Sequence, residues 1–225
     1  MKKRLTLIQM DVRVNDVEYN YNRVQELLTQ SLSESPDIIV LPETWNTGFY
    51  PSTDLINIAD NNGDRTKALL SAFAKEHNVN IVGGSVAVAK DNLVFNTSYV
   101  YNRNGELVGE YSKMHGFSPA KEDKYFASGT HTTHFELDGI PCSTVICYDI
   151  RFPELVRMAA LPGTELLFVP AQWPTMRLRH WQVLNEVRAI ENQLFVCAVN
   201  GCGTVGLVQS TGHSAVYDPW GTNLL

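Results

Sequence analysis

Long apolar segments are missing from this sequence of 225 residues, since no window approaches the ~20 consecutive apolar residues of a membrane-spanning helix. The first residues, MKKRLTLIQMDV, begin with positive charge, but their apolar stretch ends at Asp11 and is too short for the core of a signal peptide. Glycine and proline occur at ordinary counts of 15 and 10, which excludes collagen-like and low-complexity chains. We therefore expect a soluble, cytoplasmic protein that does not interact with membranes.

Charge is also scarce. Only 19% of the residues are charged, and 18 basic against 24 acidic residues give a net charge of −6. No basic run follows the opening Lys2-Lys3-Arg4, so the sequence does not predict nucleic-acid binding. Apolar residues make up 44% of the chain, which is too much hydrophobic material for intrinsic disorder.

Cysteine is limited to four residues, and none forms a C-x-x-C pair. Cys142, Cys147, Cys197 and Cys202 lie in or beside apolar runs of a mid-sized chain, which favours free thiols in a reducing compartment over disulfides. A zinc site formed by the two C-x4-C pairs is an alternative, although this spacing matches the usual spacing of zinc ligands only loosely. The histidines show no metal-ligand spacing, so we expect no metal.

What the sequence does contain is an alternation of helical and strand-like segments. Steps of three and four residues between apolar positions predict helices, and short apolar or alternating runs predict strands. The predicted helices are 16–32, 66–77, 154–160 and 178–192; the predicted strands are 4–10, 37–41, 81–89, 94–101, 106–112, 134–137, 141–147, 166–169, 194–199 and 213–217. Two long loops, 44–64 and 113–130, separate them. This order predicts one domain over residues 1–225, with a mixed sheet or sheets covered by helices.

Three polar residues stand where predicted strands end: Glu43, Lys113 and Cys147. Strand ends are where ligands gather in α/β proteins, and a carboxylate, an ammonium and a thiol meeting there would form a hydrolytic centre. Each residue also has an ordinary interpretation, as a loop charge, a solvated lysine and a small buried side chain. Composition and spacing do not show that the three meet.

The segments around these residues resemble the three motifs of the nitrilase (carbon–nitrogen hydrolase) superfamily. They are LPE at 41–43, YSKMH at 111–115 and VICYDIRFPE at 145–154, in the order of the family. Further matches are AQWP at 171–174, HW at 180–181, RAIENQ at 188–193, GHS at 212–214 and DPWG at 218–221. The resemblance covers essentially the whole chain.

This resemblance implies an α/β (α+β) fold, a four-layer α-β-β-α sandwich, with a Glu-Lys-Cys triad and no cofactor. By motif, Cys147 matches the nucleophile, Glu43 the general base and Lys113 the cation beside the developing oxyanion. The backbone N–H of Tyr148 would be a second oxyanion donor. Glu122 is the candidate for a second glutamate that the family often carries.

Within the superfamily, the string from AQWP to RAIENQ looks most like the ω-amidases, which act on α-keto acid amides such as 2-oxoglutaramate. A substrate of this kind carries a carboxylate, so a cationic anchor is expected, and we assign it to Arg177 with Arg151 behind it. Trp173 and Phe117 are expected to line the pocket. The alternatives are an amidase for deaminated glutathione, an N-carbamoyl amine hydrolase, and a catalytically inactive binding module.

The resemblance also implies a homodimer, with the contact formed by the helices at 153–160 and 178–192. Their apolar residues exceed what one side of a sheet needs. These residues are Leu155, Met158, Ala159, Trp181, Leu184 and Val187. The alternative is that they only cover their own sheet. The sequence stops at Leu225, just after DPWG, so we expect a domain without the family's last strand and C-terminal tail.

Overall fold

The computed structural model describes residues 2–49, 54–205 and 208–225. The helices are α1 (Val17–Ser31), α2 (Leu55–Ile58), α3 (Asp64–His77), α4 (Glu122–Tyr125), α5 (Pro153–Ala160) and α6 (Leu178–Asn192). The strands are β1 (Leu5–Leu7), β2 (Ile38–Val40), β3 (Asp60–Asn61), β4 (Asn80–Val82), β5 (Val86–Lys90), β6 (Leu93–Tyr101), β7 (Leu107–Ser112), β8 (His134–Leu137), β9 (Ile140–Thr144), β10 (Leu166–Ala171), β11 (Phe195–Asn200), β12 (Cys202–Val205), β13 (Val208–Thr211) and β14 (Ala215–Tyr217). Among the described residues, no helix has the length and apolar character required to cross a bilayer.

The strands form two main sheets. In the first, the order is β1-β2-β4-β6-β5-β3, and β7 pairs with the other edge of β6. In the second, the order is β14-β11-β10-β9-β8, with β10 parallel to both β9 and β11. Apart from these sheets, β12 pairs antiparallel with β13.

Alternation along the strands divides the side chains between the two faces of each sheet. In β2, Ile38 and Val40 belong to the core between the sheets, together with Phe168 of β10. The intervening Ile39 belongs instead to a second core beneath α1 and α3, which contains Leu70.

The second sheet is built in the same way. Val169 of β10 and Val196 of β11 face a third core, which α5 and α6 complete with Val156 and Ala189. The layers are therefore helix, sheet, sheet and helix, which confirms the predicted four-layer sandwich.

Some strands are shorter than predicted, such as β1 in place of 4–10 and β9 in place of 141–147. The structure also differs from the predicted elements in three other places. The predicted strand 81–89 is divided into β4 and β5, because Gly84 takes a positive φ of 62° between them. The long loops contain the short elements α2, β3 and α4, although residues 50–53 lie outside the described part of the chain. The pairing of β12 with β13 was not predicted, since neither of these four-residue strands shows an alternation of apolar and polar residues.

Candidate active site

Glu43, Lys113 and Cys147 come together in the folded chain. Glu43 follows β2, Lys113 follows β7, and Cys147 begins a short 3-10 helix, Cys147–Arg151, after β9. The ammonium Nζ of Lys113 lies 2.7 Å from Oε1 of Glu43. All three residues are buried, with exposed fractions of 0%, 3% and 5% for Glu43, Lys113 and Cys147.

The backbone is strained where it presents two of these side chains. Cys147 has a φ of 47°, and Thr44, directly after Glu43, has a φ of 41°. Positive φ is unfavourable for residues with a Cβ and most unusual for a β-branched residue such as threonine. Such conformations persist where the surrounding structure imposes them, and they concentrate at functional sites.

A second carboxylate shares the lysine. Both oxygens of Glu122, the first residue of α4, lie 2.8 Å from Nζ of Lys113. The backbone N–H of Phe117 donates a hydrogen bond of 2.8 Å to Oε2 of Glu122. The predicted second glutamate therefore lies in direct contact with the lysine.

Two further residues hold the carboxylates and were not predicted. The side-chain amide of Asn96, in β6, donates hydrogen bonds to Oε1 of Glu43 at 3.0 Å and to Oε1 of Glu122 at 3.2 Å. The backbone N–H of Gln172 donates to Oε2 of Glu43 at 2.9 Å. Gln172 lies within the AQWP match, whereas Asn96 stands in an ordinary strand and carries no local signal.

The charges in this cluster shift one another's pKa values. Burial raises the pKa of Glu43, although the adjacent Lys113 opposes the rise. Burial by itself lowers the pKa of Lys113, but the charges of Glu43 and Glu122 outweigh it, so this pKa lies above its ordinary value. Burial and then the negative charge of Glu43 raise the pKa of the Cys147 thiol well above its ordinary value. The resting site therefore places a protonated thiol against a basic carboxylate, which suits transfer of the thiol proton during attack.

Asp149 holds the turn that carries the thiol. This buried carboxylate accepts hydrogen bonds from the hydroxyl of Tyr111 at 2.8 Å and from the backbone N–H groups of His115 at 2.9 Å and Ile146 at 3.0 Å. The ring Nδ1 of His115 lies 2.9 Å from the same carboxylate. The segment around the lysine and the segment around the cysteine are thus joined by one side chain.

A cavity of about 250 Å³ opens over Cys147. The predicted site residues Phe117, Tyr148, Arg151, Trp173 and Arg177 all contribute to its wall. Tyr148 lies in the first turn of the 3-10 helix, where backbone N–H groups have no intrahelical acceptor.

The two arginines of the cavity rest on aromatic rings. The guanidinium of Arg177 lies 5.0 Å from the centre of the Phe117 ring, and that of Arg151 lies 4.9 Å from the centre of a Trp173 ring. Nη2 of Arg151 also lies 3.0 Å from Nδ1 of His180. The ion pairs found between described residues involve neither arginine.

The other cysteines lie elsewhere. Cys142 and Cys197 are buried in the core between the sheets, while Cys202 is half-buried at the start of β12. In the described part of the chain, no group of three or more histidine, cysteine, aspartate or glutamate side chains is arranged to hold a metal ion.

Comparison with known proteins identifies the family that has this fold and this cluster. A sequence model of the carbon–nitrogen hydrolases matches residues 4–224. The chain belongs to the carbon–nitrogen hydrolase family. The family predicted from the three motifs is therefore confirmed.

Individual relatives of this carbon–nitrogen hydrolase are amidases. The chain is 41% identical over 221 residues to the 2-oxoglutaramate amidase of Bacillus subtilis (strain 168), covering 98% of this chain and 85% of the relative. It is 30% identical over 227 residues to the omega-amidase NIT2 of Mus musculus, covering 97% and 82%. These similarities confirm the predicted class of enzyme, a hydrolase of non-peptide amide bonds in the ω-amidase-like branch.

A solved structure supports the same assignment. The fold matches a CN-hydrolase superfamily protein from Xanthomonas campestris, with an arsenic adduct in the active site, at a TM-score of 0.90 and 32% sequence identity. The match covers 100% of this chain and 86% of the other. The predicted fold class is confirmed.

Proposed function

We propose that this hydrolase converts a small amide bearing a carboxylate, of the α-keto acid amide class such as 2-oxoglutaramate, into the acid and ammonia. The observation that carries the proposal is the pair of arginines, Arg151 and Arg177, in a largely apolar and aromatic cavity over Cys147. A guanidinium without a carboxylate partner at the wall of such a cavity is suited to bind an anionic substrate. The likeness to the 2-oxoglutaramate amidase supports the same substrate class.

The reaction we propose begins with the thiol of Cys147. Its proton passes to Glu43 while the sulfur attacks the amide carbon, and the carbonyl oxygen becomes an oxyanion. The positive charge of Lys113 and the backbone N–H of Tyr148 stabilise that oxyanion. Glu43 then gives the proton to the leaving nitrogen, the C–N bond breaks, and ammonia departs from the thioester.

Hydrolysis of the thioester completes the cycle. Glu43 takes a proton from a water molecule, which attacks the thioester carbon, and the C–S bond breaks to release the acid. The proton held by Glu43 returns to the sulfur of Cys147. Glu122 serves in both halves by fixing Lys113, to which both of its oxygens bind.

Ammonia release from a matched panel tests the substrate class. We expect turnover of 2-oxoglutaramate to exceed that of pentanamide, a neutral amide with the same number of carbons. Deaminated glutathione and an N-carbamoyl amine in the same panel test the two alternative substrates. Equal rates for the anionic and the neutral amide would exclude a carboxylate anchor.

Substitution of the arginines tests the anchor itself. Arg177→Met and Arg151→Met keep much of the side-chain length but remove the charge. Since a charge-assisted hydrogen bond contributes roughly 1.5–3 kcal/mol, kcat/KM for the anionic amide should fall about 10- to 100-fold. The rate with pentanamide should change little, and a parallel loss for both amides would argue against the anchor.

The alternative of an inactive binding module is tested by the nucleophile. Cys147→Ala should fold and retain binding of the amide, measured by calorimetry, but release no ammonia. A wild-type chain that binds the amides without turning any of them over would support the binding module.

We propose in addition that the enzyme is a homodimer whose contact lies on α5 and α6. Of the apolar residues predicted to form this contact, Leu155, Ala159 and Trp181 are buried in the chain's own core, so they cover their own sheet as the alternative expected. Met158 and Val187 remain exposed, at 55% and 37%. Light scattering tests the pair, with Met158→Glu as the variant expected to give monomers. A wild-type monomer at micromolar concentration would refute the dimer.

We also propose that the enzyme is located in the cytoplasm. Cys142, Cys147, Cys197 and Cys202 are all free. A reducing compartment maintains thiols in that state. Fractionation of cells followed by immunodetection would test the location.

A further inference from the structure

The buried amide of Asn96 lies between the two carboxylates that share Lys113. Asn96 is 1% exposed, and its Nδ2 lies 3.0 Å from Oε1 of Glu43 and 3.2 Å from Oε1 of Glu122. Because an amide nitrogen carries two hydrogens, it can donate one to each carboxylate. The backbone carbonyl of Asn96 also accepts the N–H of Lys113 at 2.8 Å. One residue therefore contacts three members of the cluster.

The orientation of this amide is fixed by its neighbours. If the amide were turned over, its oxygen would face the oxygens of Glu43 and Glu122, and acceptors would oppose acceptors. In the orientation observed, Oδ1 of Asn96 is buried and has no hydrogen-bond partner among the described residues. An unpaired buried carbonyl is unfavourable, so the contacts made by the N–H groups are the ones that account for asparagine at this position.

Two carboxylates next to each other in a buried site tend to take up a proton, since burial and mutual repulsion both disfavour the second negative charge. Lys113 offsets one of the charges of Glu43 and Glu122. Hydrogen bonds that are donated to carboxylate oxygens favour the ionised forms. The amide of Asn96 provides one such bond to each carboxylate.

The hydrogen bonds also distinguish the two oxygens of Glu43. Oε1 accepts Nζ of Lys113 and Nδ2 of Asn96, which occupy both of its lone pairs. Oε2 accepts the backbone N–H of Gln172 and retains a second lone pair. The proton of the Cys147 thiol therefore has Oε2 as its acceptor.

We propose that Asn96 is a positioning residue that holds Glu43 ionised beside Glu122 and leaves Oε2 of Glu43 available to the thiol of Cys147. The titratable groups that face Glu43 are Lys113 at the end of β7, Glu122 in α4 and Cys147 in the 3-10 helix. Asn96 lies in β6, contacts Glu43, Glu122 and Lys113, and carries no charge itself. This inference rests on the proposed function only in taking Glu43 as the base.

The test compares three variants. Asn96→Leu removes both donors but keeps the branching at Cγ, and Asn96→Asp replaces them with a third carboxylate. Ser98→Ala is the matched control, because Ser98 lies on the same face of β6, is fully buried and has a hydroxyl without a partner among the described residues.

The measurement is the pH dependence of two rates: alkylation of Cys147 by iodoacetamide and kcat/KM for amide hydrolysis. Loss of the donors raises the pKa of Glu43, so the acid limb of both profiles should move to higher pH, by about one unit for Asn96→Leu and further for Asn96→Asp. Ser98→Ala should reproduce the wild-type profile. If leucine prevents folding, Asn96→Ser, which retains a single donor, should show part of the shift.

The outcomes separate this inference from the proposed function. Alkylation does not depend on the substrate, so a shifted alkylation profile supports the role of Asn96 even if every amide in the panel proves inactive. A folded Asn96→Leu variant whose alkylation profile coincides with those of wild type and Ser98→Ala overturns it, whatever the turnover. A merely structural role would lower the melting temperature and leave the acid limb in place.

Discussion

Tyr111 donates a hydrogen bond of 2.8 Å to Oδ2 of Asp149, and this contact ties the strand that precedes Lys113 to the turn that presents Cys147. The two residues are 38 positions apart in the sequence, and both are buried. The relative position of the lysine and the thiol therefore depends on a hydrogen bond in which neither takes part.

Removal of that hydroxyl should affect the reaction and the stability together. Tyr111→Phe leaves Asp149 with one fewer donor, and we expect the free energy of unfolding to fall by about 1–3 kcal/mol, with a larger effect on kcat than on KM. Urea unfolding and ammonia release measure the two effects. Tyr101→Phe is the control, since no hydrogen bond of its hydroxyl is found in the described structure. Equal effects of the two substitutions would show that the Tyr111 hydroxyl has no special role.

Helix α6 shows how far the sequence could predict the fold. Its bounds, Leu178–Asn192, are the predicted ones, even though the polar Asn185 and Arg188 share its buried face with Trp181 and Ala189. The division of the predicted strand 81–89 could not be read in the same way. It results from the close approach of Gly84 to the carbonyl oxygen of Pro42, a tertiary contact that leaves no mark on the local pattern beyond the glycine itself.

Some residues of the site could be predicted from the sequence, and others could not. Glu43, Lys113 and Cys147 were predicted because each lies in a short sequence motif that resembles one of the three motifs of the family. Asn96 was missed because its role comes from two partners at positions 43 and 122, which only the folded chain brings together.

The close approach at Gly84 supports a prediction about stability. A Cβ at Gly84 would lie 2.0 Å from the carbonyl oxygen of Pro42, directly before Glu43, and the φ of 62° is unfavourable for alanine as well. Gly139→Ala is the control, because it has a φ of 81° but meets nothing within 4 Å. Both substitutions should cost about 1–2 kcal/mol from backbone strain, whereas Gly84→Ala should cost more and also reduce kcat/KM. Equal losses of stability, with activity intact in both, would contradict this account.

Alkylation should be selective for Cys147. Cys142 and Cys197 are buried in the core between the sheets, and burial raises the pKa of Cys142 to about 12. Cys202 is half-buried, and burial raises its pKa as well. Cys202 also lines a cavity, together with Asp11. Cys147 differs in lying beside both the Glu43 carboxylate, which can take its proton, and the Lys113 ammonium, at the wall of the cavity that admits the reagent.

Peptide mapping after limited treatment with iodoacetamide tests this selectivity. Label on Cys147 should increase in proportion to the loss of activity. The control Cys202→Ser should leave both unchanged. Labelling of Cys202 before Cys147, with activity retained, would refute the assignment of the reactive thiol.

Glu43→Gln should fold and be nearly inactive. Glutamine preserves the shape but cannot accept the thiol proton, so kcat should fall about 10²- to 10⁴-fold. In the wild type, burial raises the pKa of Glu43, so activity should be lost on acidification at a pH above the ordinary glutamate value of about 4.3. A pH–rate profile of kcat/KM measures this limb. A substantial rate in Glu43→Gln with the same limb would show that another group is the base.

The last prediction concerns an ionic cluster that joins the two sheets. Asp138, in the turn between β8 and β9, accepts hydrogen bonds from Nε and Nη2 of Arg103, in the turn between β6 and β7, and from Nζ of Lys3. The hydrogen bonds from Arg103 hold the pKa of Asp138 well below its ordinary value; burial opposes them, and Lys3 adds to the effect. A carboxyl group whose pKa is lower in the folded state stabilises the fold when it is ionised.

The pH dependence of this stabilisation follows from the direction of the shift. It is fully present above the pKa of the unfolded chain, about 3.9, declines as the pH falls below that value, and is lost once the pH falls below the folded pKa. Asp138→Asn should therefore lower the free energy of unfolding at pH 7, by up to about 1 kcal/mol for a partly exposed pair, and the difference from wild type should shrink below pH ~4.

Asp91→Asn is the matched control for this substitution. Asp91 also has a positive φ in a hairpin turn, is exposed, and forms no ion pair among those found between described residues. Asparagine tolerates the left-handed conformation at both positions, so backbone strain does not separate the two variants. Urea unfolding of both variants at pH 7 and at pH 3.5 provides the comparison. A difference between Asp138→Asn and wild type that does not change with pH would show that the ionised carboxylate is not the source of the stability.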